Sequence, residues 1–174
     1  MTEELKTSNL FDCEIPHLKE LFKNAVYPWE MLPRLKDYIS SLIFKGIPGY
    51  RNIGDMVLVG SGVRIHESAV IMPYTIIGDG CEIRPGAYIR GNVVIGENCV
   101  IGNSTEIKNA VLLNNVQVPH YNYVGDSILG NGAHMGAGAI CSNLKSDGKN
   151  VVVHGESKTD TGLRKFGAVL CDGA

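Results

Sequence analysis

No apolar run in this chain is long enough for a transmembrane helix. Its acidic, polar start, MTEEL, is not that of a secretion signal. An excess of one charge is missing too: Lys and Arg number 16 against 18 Asp and Glu, a formal net charge of −2. That balance offers no electrostatic case for nucleic acid or an anionic membrane as partner. The five cysteines are an odd number without disulfide-framework or zinc-type spacing, so the chain reads as reduced and cytoplasmic. Its 174 residues leave room for one main domain and a small appendage.

What is present is a period of six. Aliphatic residues recur at Val59, Ile65, Ile71, Ile77, Ile83, Ile89, Ile95, Ile101, Ile107 and Leu113. Two positions before each sits a small or β-branched residue: Val57, Val63, Ala69, Thr75, Cys81, Ala87, Val93, Cys99, Thr105, Val111. With hydrophobic residues at 44%, ten apolar hits in register arise by chance about three times in ten thousand. This is the pattern of a β-solenoid.

Each hexad is a short strand and a turn. Alternate strand residues share a side, so Cys81 and Ile83 face inward and Glu82 outward. Gly78, Gly86, Gly96 and Gly102, with Asn92, Asn98 and Asn103, fill turns that need left-handed backbone. Three hexads close one triangular coil, so each residue stacks on the one eighteen further on at roughly 4.8 Å. Ile77, Ile95 and Leu113 are then expected to form one interior column, and Cys81 to stack on Cys99. Coils that share a core in this way form an all-β solenoid, a parallel β-helix. An antiparallel sandwich would instead show turn signals about every 8–12 residues and no fixed hexad register. The period does not set the handedness, and general chirality alone favours right-handed crossovers.

Residues 1–52 lack the hexad and are expected to be a short α-helical segment, with the β-helix over 53–174. Pro16 opens one short helix through Leu21, and Pro33 sits in the first turn of another. Leu32, Leu35, Ile39, Leu42 and Ile43 make an apolar stripe at helical spacing, for packing on the solenoid or on a neighbouring subunit. Gly46-Ile47-Pro48-Gly49 is a hinge. After Leu113 the period slips: Val118, Val124, Leu129 and Met135 alternate five and six apart, with Pro119 inside the stretch. Loops follow at 142–150 and 154–165. The hexad resumes just as the chain stops at Ala174, so the solenoid is expected to be truncated at its C-terminus, without a capping element.

The slip marks a place where local regularity is given up, as functional sites often do. His120 and Tyr123 flank it, and an imidazole with a free pKa of about 6.5 suits a general base. Arg90 and Lys108 each follow an inward isoleucine, point outward and are eighteen apart. Stacked cations roughly 4.8 Å apart repel unless an anion such as a phosphate lies between them; solvated surface charges are the plainer reading. Arg84 lies one hexad earlier, on the adjoining face. His66, His134 and His154 raise a zinc site, but their spacings fit no familiar ligand pattern, and no metal is expected.

The segment Ile89–Lys149 resembles the acetyltransferase domain of bifunctional N-acetylglucosamine-1-phosphate uridyltransferase/glucosamine-1-phosphate acetyltransferases. The matching pieces are Ile89-Arg90, Gly102-Asn103, Glu106-Ile107-Lys108, His120 through Tyr123-Val124-Gly125-Asp126, Gly136-Ala137-Gly138 and Asn143. The resemblance implies a left-handed parallel β-helix, a hexapeptide-repeat homotrimer with sites between subunits, and acetyl-CoA as co-substrate. By position it implies His120 as the general base toward the sugar amine, and Arg90, Lys108 and Tyr123 as holders of the sugar phosphate. Lys149 falls where the family has a further substrate-contacting lysine. Ala137 and Asn143 fall where the acetyl-CoA thioester end approaches. The family's Arg-Pro-Gly-Ala motif is here Arg84-Pro85-Gly86-Ala87, but only Arg90 keeps the eighteen-residue stacking with Lys108, so Arg90 is preferred and Arg84 kept second. His134 replaces a family asparagine near the sugar. About fifty residues of helix replace the nucleotidyltransferase domain and its Gly-rich loop, as in helical-leader proteins related to UDP-N-acetylglucosamine pyrophosphorylases. The expected activity is acetyl-CoA-dependent N-acetyl transfer to an amino-sugar phosphate in nucleotide-sugar metabolism; the alternative is a non-catalytic sugar-phosphate or nucleotide-sugar binding solenoid.

Overall fold

The computed structural model describes residues 3–155 and 157–174. Met1, Thr2 and Glu156 lie outside the described residues, and with them the first two residues of the polar start and one of the charged loop. From Val57 onward the backbone winds in coils whose short strands pair in parallel and build three faces. The first face holds Val57–Val59, Thr75–Ile77, Val93–Ile95, Ala110–Leu112, Ile128–Leu129 and Val169–Leu170. Arg51–Gly54 joins its edge antiparallel and straddles the expected boundary after residue 52. The second face holds Arg64–Ile65, Glu82–Ile83, Val100–Asn103 and Gln117–His120. The third holds Val70–Ile71, Tyr88–Ile89, Glu106–Lys108, Tyr123–Gly125 and Ile140–Cys141. The chain is therefore the all-β parallel solenoid that the hexads predict, preceded by a short helical segment.

The inward residues form one core through the coils. Cys81 and Cys99 stack in it as expected, with the Cys99 N–H 3.4 Å from Cys81 Sγ. Their thiols donate to the carbonyls of Gly96 (2.9 Å) and Leu113 (3.1 Å). The hydrogen bond with Cys81, then burial, holds the Cys99 thiol far above its ordinary pKa, so it serves as a small apolar filler.

The register departs from expectation at one corner. Ile77 pairs with Ile95, and Ile89 with Ile107, in steps of eighteen. Ile95 then pairs with Leu112, not Leu113. The expected column is corrected to Ile77–Ile95–Leu112, while Leu113 and Val111 face away from the solenoid core. The cause is a tighter corner between the third and first faces, where Asn109 takes left-handed backbone (φ 48°). Asp126 repeats this one coil later (φ 49°). Pairs below the corner are accordingly seventeen apart: Ile101 with Val118, Ile107 with Val124, Leu112 with Leu129. The slip lies at Asn109 and Asp126, not between His120 and Tyr123.

The N-terminal segment comprises the helices Thr7–Leu10, Lys19–Lys23 and Leu35–Lys45, with 3-10 turns at Glu3–Leu5, Pro16–Leu18 and Pro28–Arg34. Pro33 sits in the last of these turns, just before the helix it was expected to begin. Leu32, Leu35 and Ile39 are buried and pack on the solenoid, flanked by Leu42 and Ile43. The segment covers the outward column of the first face, Leu58, Ile76, Val94, Val111 and Ile128, none more than 6% exposed. Burying each such side chain is worth roughly 1.5–3 kcal/mol, which is why this face is aliphatic on both sides. At the far end the Asp12 N–H donates to Asp172 Oδ2 (2.8 Å), and Asn131 Nδ2 donates to the Asp12 carbonyl (2.8 Å). The helical segment is thereby tied at Asp12 to the coil that carries Asn131 and Asp172.

Between Cys141 and Val169 the chain leaves the stack and forms an antiparallel hairpin of Val152–His154 and Lys158–Asp160. It then rejoins, pairing Leu170 with Leu129. No helix among the described residues is long and apolar enough to cross a membrane.

Candidate functional site

Arg90 follows Tyr88–Ile89 and Lys108 ends the strand of the next coil, so both emerge in register at the corner between the third and first faces. The expectation that only a bound anion relieves their repulsion is corrected, because each cation already meets a carboxylate. Arg90 Nη1 lies 2.7 Å from Glu106 Oε1, and Lys108 Nζ lies 3.3 Å from Asp126 Oδ2. The Arg90 guanidinium also sits 5.9 Å from the Tyr88 ring centroid.

Asp126 is the centre of this corner. Its side chain is only 6% exposed. Its carboxylate accepts from Asn109 Nδ2 (2.7 Å), from Lys108 Nζ and from Asn143 Nδ2. Asn143 Nδ2 donates also to the Tyr123 hydroxyl (3.1 Å). The Tyr123 ring lies across Gly125, where any Cβ would run into it. The inserted segment closes on the same spot: the Gly167 N–H donates to the Asp126 carbonyl (2.9 Å), and the Phe166 N–H to the Asn143 carbonyl (3.0 Å). Lys108, Tyr123 and Asn143, from three successive coils, are thus joined around one carboxylate.

His120 ends the strand Gln117–His120 opposite Asn103, at the corner between the second and third faces, with its side chain exposed. Its N–H donates to Asn122 Oδ1 (3.1 Å), and its carbonyl accepts from the Gly138 N–H (3.0 Å). Asn122, 2% exposed, donates to the Gly136 carbonyl (2.7 Å) and fixes the corner from inside. Ala137 occupies this corner one coil on, exposed between two glycines where an added Cβ would meet nothing. Gly102 below it has no such freedom, since a Cβ there would strike the Pro119 carbonyl. Within one chain a strand of three residues separates the His120 corner from Lys108, on the order of 10 Å.

The remaining residues lie elsewhere. Arg84 belongs to the second face and pairs with Glu82 at 3.1 Å, a hydrogen bond that lowers the Glu82 pKa. His134 is exposed on that face opposite Gln117. Lys149 is exposed in the loop beyond Asn143, its N–H donating to Asp147 Oδ1 (3.0 Å). Among the described residues no three His, Cys, Asp or Glu side chains are placed to share a metal ion, and His66, His134 and His154 form no such group. The structure thus gathers Arg90, Lys108, Tyr123 and Asn143 on the third face, sets His120 with Ala137, and leaves Arg84 and His134 apart. Sequence reasoning gave no role to Glu106, Asn109 or Asp126. The signal for the last two was the five-residue step from Ile107 to Leu112 and again from Val124 to Leu129.

A family model described as the GMPPB C-terminal domain matches residues 71–161, more than half of the chain. The Bifunctional protein GlmU of Methanococcus maripaludis (strain S2) is 38% identical over 161 residues, covering 89% of this chain and 38% of that protein. The Bifunctional sugar-1-phosphate nucleotidylyltransferase/acetyltransferase of Sulfurisphaera tokodaii is 35% identical over 150 residues, 82% of this chain and 37% of that one. The protein named GlmU in Methanococcus aeolicus is 43% identical over 68 residues, 39% of this chain and 16% of its own length. The chain spans less than two-fifths of the length of these relatives.

Proposed function

The chain belongs to the GMPPB C-terminal domain family and is homologous to the acetyltransferase-like, hexapeptide-repeat part of GlmU; from that premise we propose that it is an acetyl-CoA-dependent N-acetyltransferase acting on an amino-sugar phosphate such as glucosamine 1-phosphate. The observation that carries this reading is the joining of Lys108, Tyr123 and Asn143 around Asp126. Lys108 spends one N–H on Asp126 and keeps others for a phosphate oxygen, with Arg90 beside it as a second cation and Lys149 in the adjoining loop. The Tyr123 hydroxyl adds a neutral donor. Acetyl-CoA supplies an activated acetyl group as its thioester. The exposed Gly136-Ala137-Gly138 corner, with no side chain larger than a methyl, suits the approach of that end, and Asn143 lies on the adjoining face. At the corner His120 takes the proton from the sugar amine, and backbone N–H donors near Ala137 serve the developing negative charge. The resemblance to the acetyltransferase domain of this family implies sites between subunits, so in this reading Lys108 and the His120 corner, on the order of 10 Å apart within one chain, are completed by a neighbouring copy in a homotrimer.

The test is release of CoA from acetyl-CoA with glucosamine 1-phosphate. Loss of a general base costs about 10²–10⁴-fold, so His120→Ala is expected to lose at least about a hundredfold in kcat with an unchanged circular dichroism spectrum. An active His120→Ala protein removes the base from the mechanism. The second reading, a solenoid that binds a sugar phosphate without transfer, is favoured by the pairing of Arg90 with Glu106 and by the exposed His134. It stands if the wild type binds glucosamine 1-phosphate through Lys108 and never turns over.

A further inference from the structure

Resting on the transferase reading, we infer that Asp126 is a positioning residue that sets the hydrogen-bond polarity of the site, holding the Asn143 amide with its oxygen toward the ligand. An ionised carboxylate only accepts hydrogen bonds. The Asp126 oxygens face three donors, Asn109 Nδ2, Lys108 Nζ and Asn143 Nδ2. The Asn143 amide nitrogen has two hydrogens, one directed to Asp126 and the other to the Tyr123 hydroxyl oxygen. Both are committed, so what Asn143 has left to offer is the acceptor Oδ1. A flipped amide would set that oxygen against the carboxylate, acceptor facing acceptor, which is how such a network fixes an amide's orientation.

Two further consequences follow from the same bonds. Tyr123 accepts from Asn143 through its hydroxyl oxygen and therefore keeps its own proton to donate. Lys108 spends one of three ammonium hydrogens on Asp126. The site thus presents donors at Lys108 and Tyr123 and an acceptor at Asn143. The ligand it fits carries an anionic oxygen group on the donor side and an N–H on the acceptor side. That N–H comes either from the amine that is acylated or from an amide of the acyl carrier. Asp126 cannot turn away to release Asn143. It is almost wholly buried on a left-handed corner, and its carbonyl is pinned by the Gly167 N–H.

The test has two arms, and the first does not depend on activity. In nitrogen-15 NMR of the wild-type chain the Asn143 side-chain amide protons are expected to exchange at least about tenfold more slowly than those of Asn115, whose side chain is exposed. In Asp126→Asn that protection is expected to vanish. In the second arm, Asp126→Asn is expected to lose about thirtyfold in kcat/KM for CoA release from acetyl-CoA and glucosamine 1-phosphate. A KM for glucosamine 1-phosphate raised likewise in Asn143→Ala, which leaves the Lys108–Asp126 pair in place, identifies the sugar amine as the N–H donor, and a raised KM for acetyl-CoA identifies the carrier amide. The double variant Asp126→Asn with Asn143→Asp moves the carboxylate to position 143, keeps an oxygen facing out, and is expected to recover most of the loss. Fast exchange of the Asn143 amide in the wild type overturns the proposal, as does an Asp126→Asn protein whose kinetic constants stay within threefold. If the wild type shows no transfer, the transferase reading fails, and the exchange of the Asn143 amide still decides whether Asp126 orients it. Should Asp126→Asn fail to fold, the wild-type exchange measurement remains decisive.

Discussion

The first and third faces of the solenoid both turn alternate, mostly small or aliphatic residues inward and differ most in the residue between them. On the first face that residue is Leu58, Ile76, Val94, Val111 or Ile128, all closed off by the helical segment. On the third it is Val70, Tyr88, Glu106, Tyr123 or Ile140, with Val70 50% and Ile140 66% exposed. One triplet pattern therefore specifies the coil, and its middle position specifies what the face meets. An aliphatic middle residue has two outcomes, a helix laid over it or solvent, and only the companion sequence decides.

Three measurements probe that contrast. The largest effect is expected from Ile76→Asp, which sets an unpaired carboxylate in the seam beneath the helices; a loss of several kcal/mol is expected, seen as a much lower unfolding midpoint by circular dichroism. Ile140→Asp makes the same change on the third face, where Ile140 is exposed, and should leave the unfolding midpoint nearly unmoved. Comparable losses from both would end the distinction between the faces. A smaller effect on stability is expected from Gly125→Ala, because the atoms nearest the added methyl belong to the Tyr123 side chain, which can swing away at a cost of about 1 kcal/mol. Its signature is elsewhere: displaced from Asn143, Tyr123 should bind glucosamine 1-phosphate several-fold more weakly by calorimetry.

The smallest effect concerns the helical segment. Burial lowers the pKa of His17, which packs edge-on against Tyr50 and whose carbonyl accepts from the Tyr38 hydroxyl (2.9 Å). The unfolded chain takes up this proton near pH 6.5 and the folded chain only below that. The contribution of neutral His17 is thus complete above about pH 6.5 and is lost as pH falls through the lower folded value. Urea midpoints should fall between pH 7.5 and 5.5, and His17→Gln should flatten that fall; an unchanged slope would mean that other groups carry it.

Much of the fold was legible because its signal is local and repeated. The hexads from Val59 to Ile107 fix which residues face inward, and Leu32, Leu35 and Ile39 declare a helical face. The register after Lys108 was not legible. Leu112 and Leu113 are adjacent and equally apolar, and the choice between them falls to the left-handed backbone at Asn109, which hydropathy does not encode. The site divides in the same way. Arg90 and Lys108 could be stacked from their spacing alone. Asp126 could not be recognised as their neighbour's hub, since two of its partners, Asn143 and the Gly167 N–H, come from seventeen and forty-one residues further on.

The helical segment has a consequence for how the molecule comes apart. Stacked coils touch only their neighbours, and a bare solenoid can fray from its end one repeat at a time. Here one splint bears on five coils through Leu58, Ile76, Val94, Val111 and Ile128, and the Asp12–Asn131–Asp172 contacts tie a further point of the solenoid to the helical segment. Opening the coil of Asn131 and Asp172 breaks its contacts with Asp12, and lifting the helices exposes every coil they cover. What would be a zipper is tied along the coils the splint spans, and these are expected to melt together, as one transition by circular dichroism.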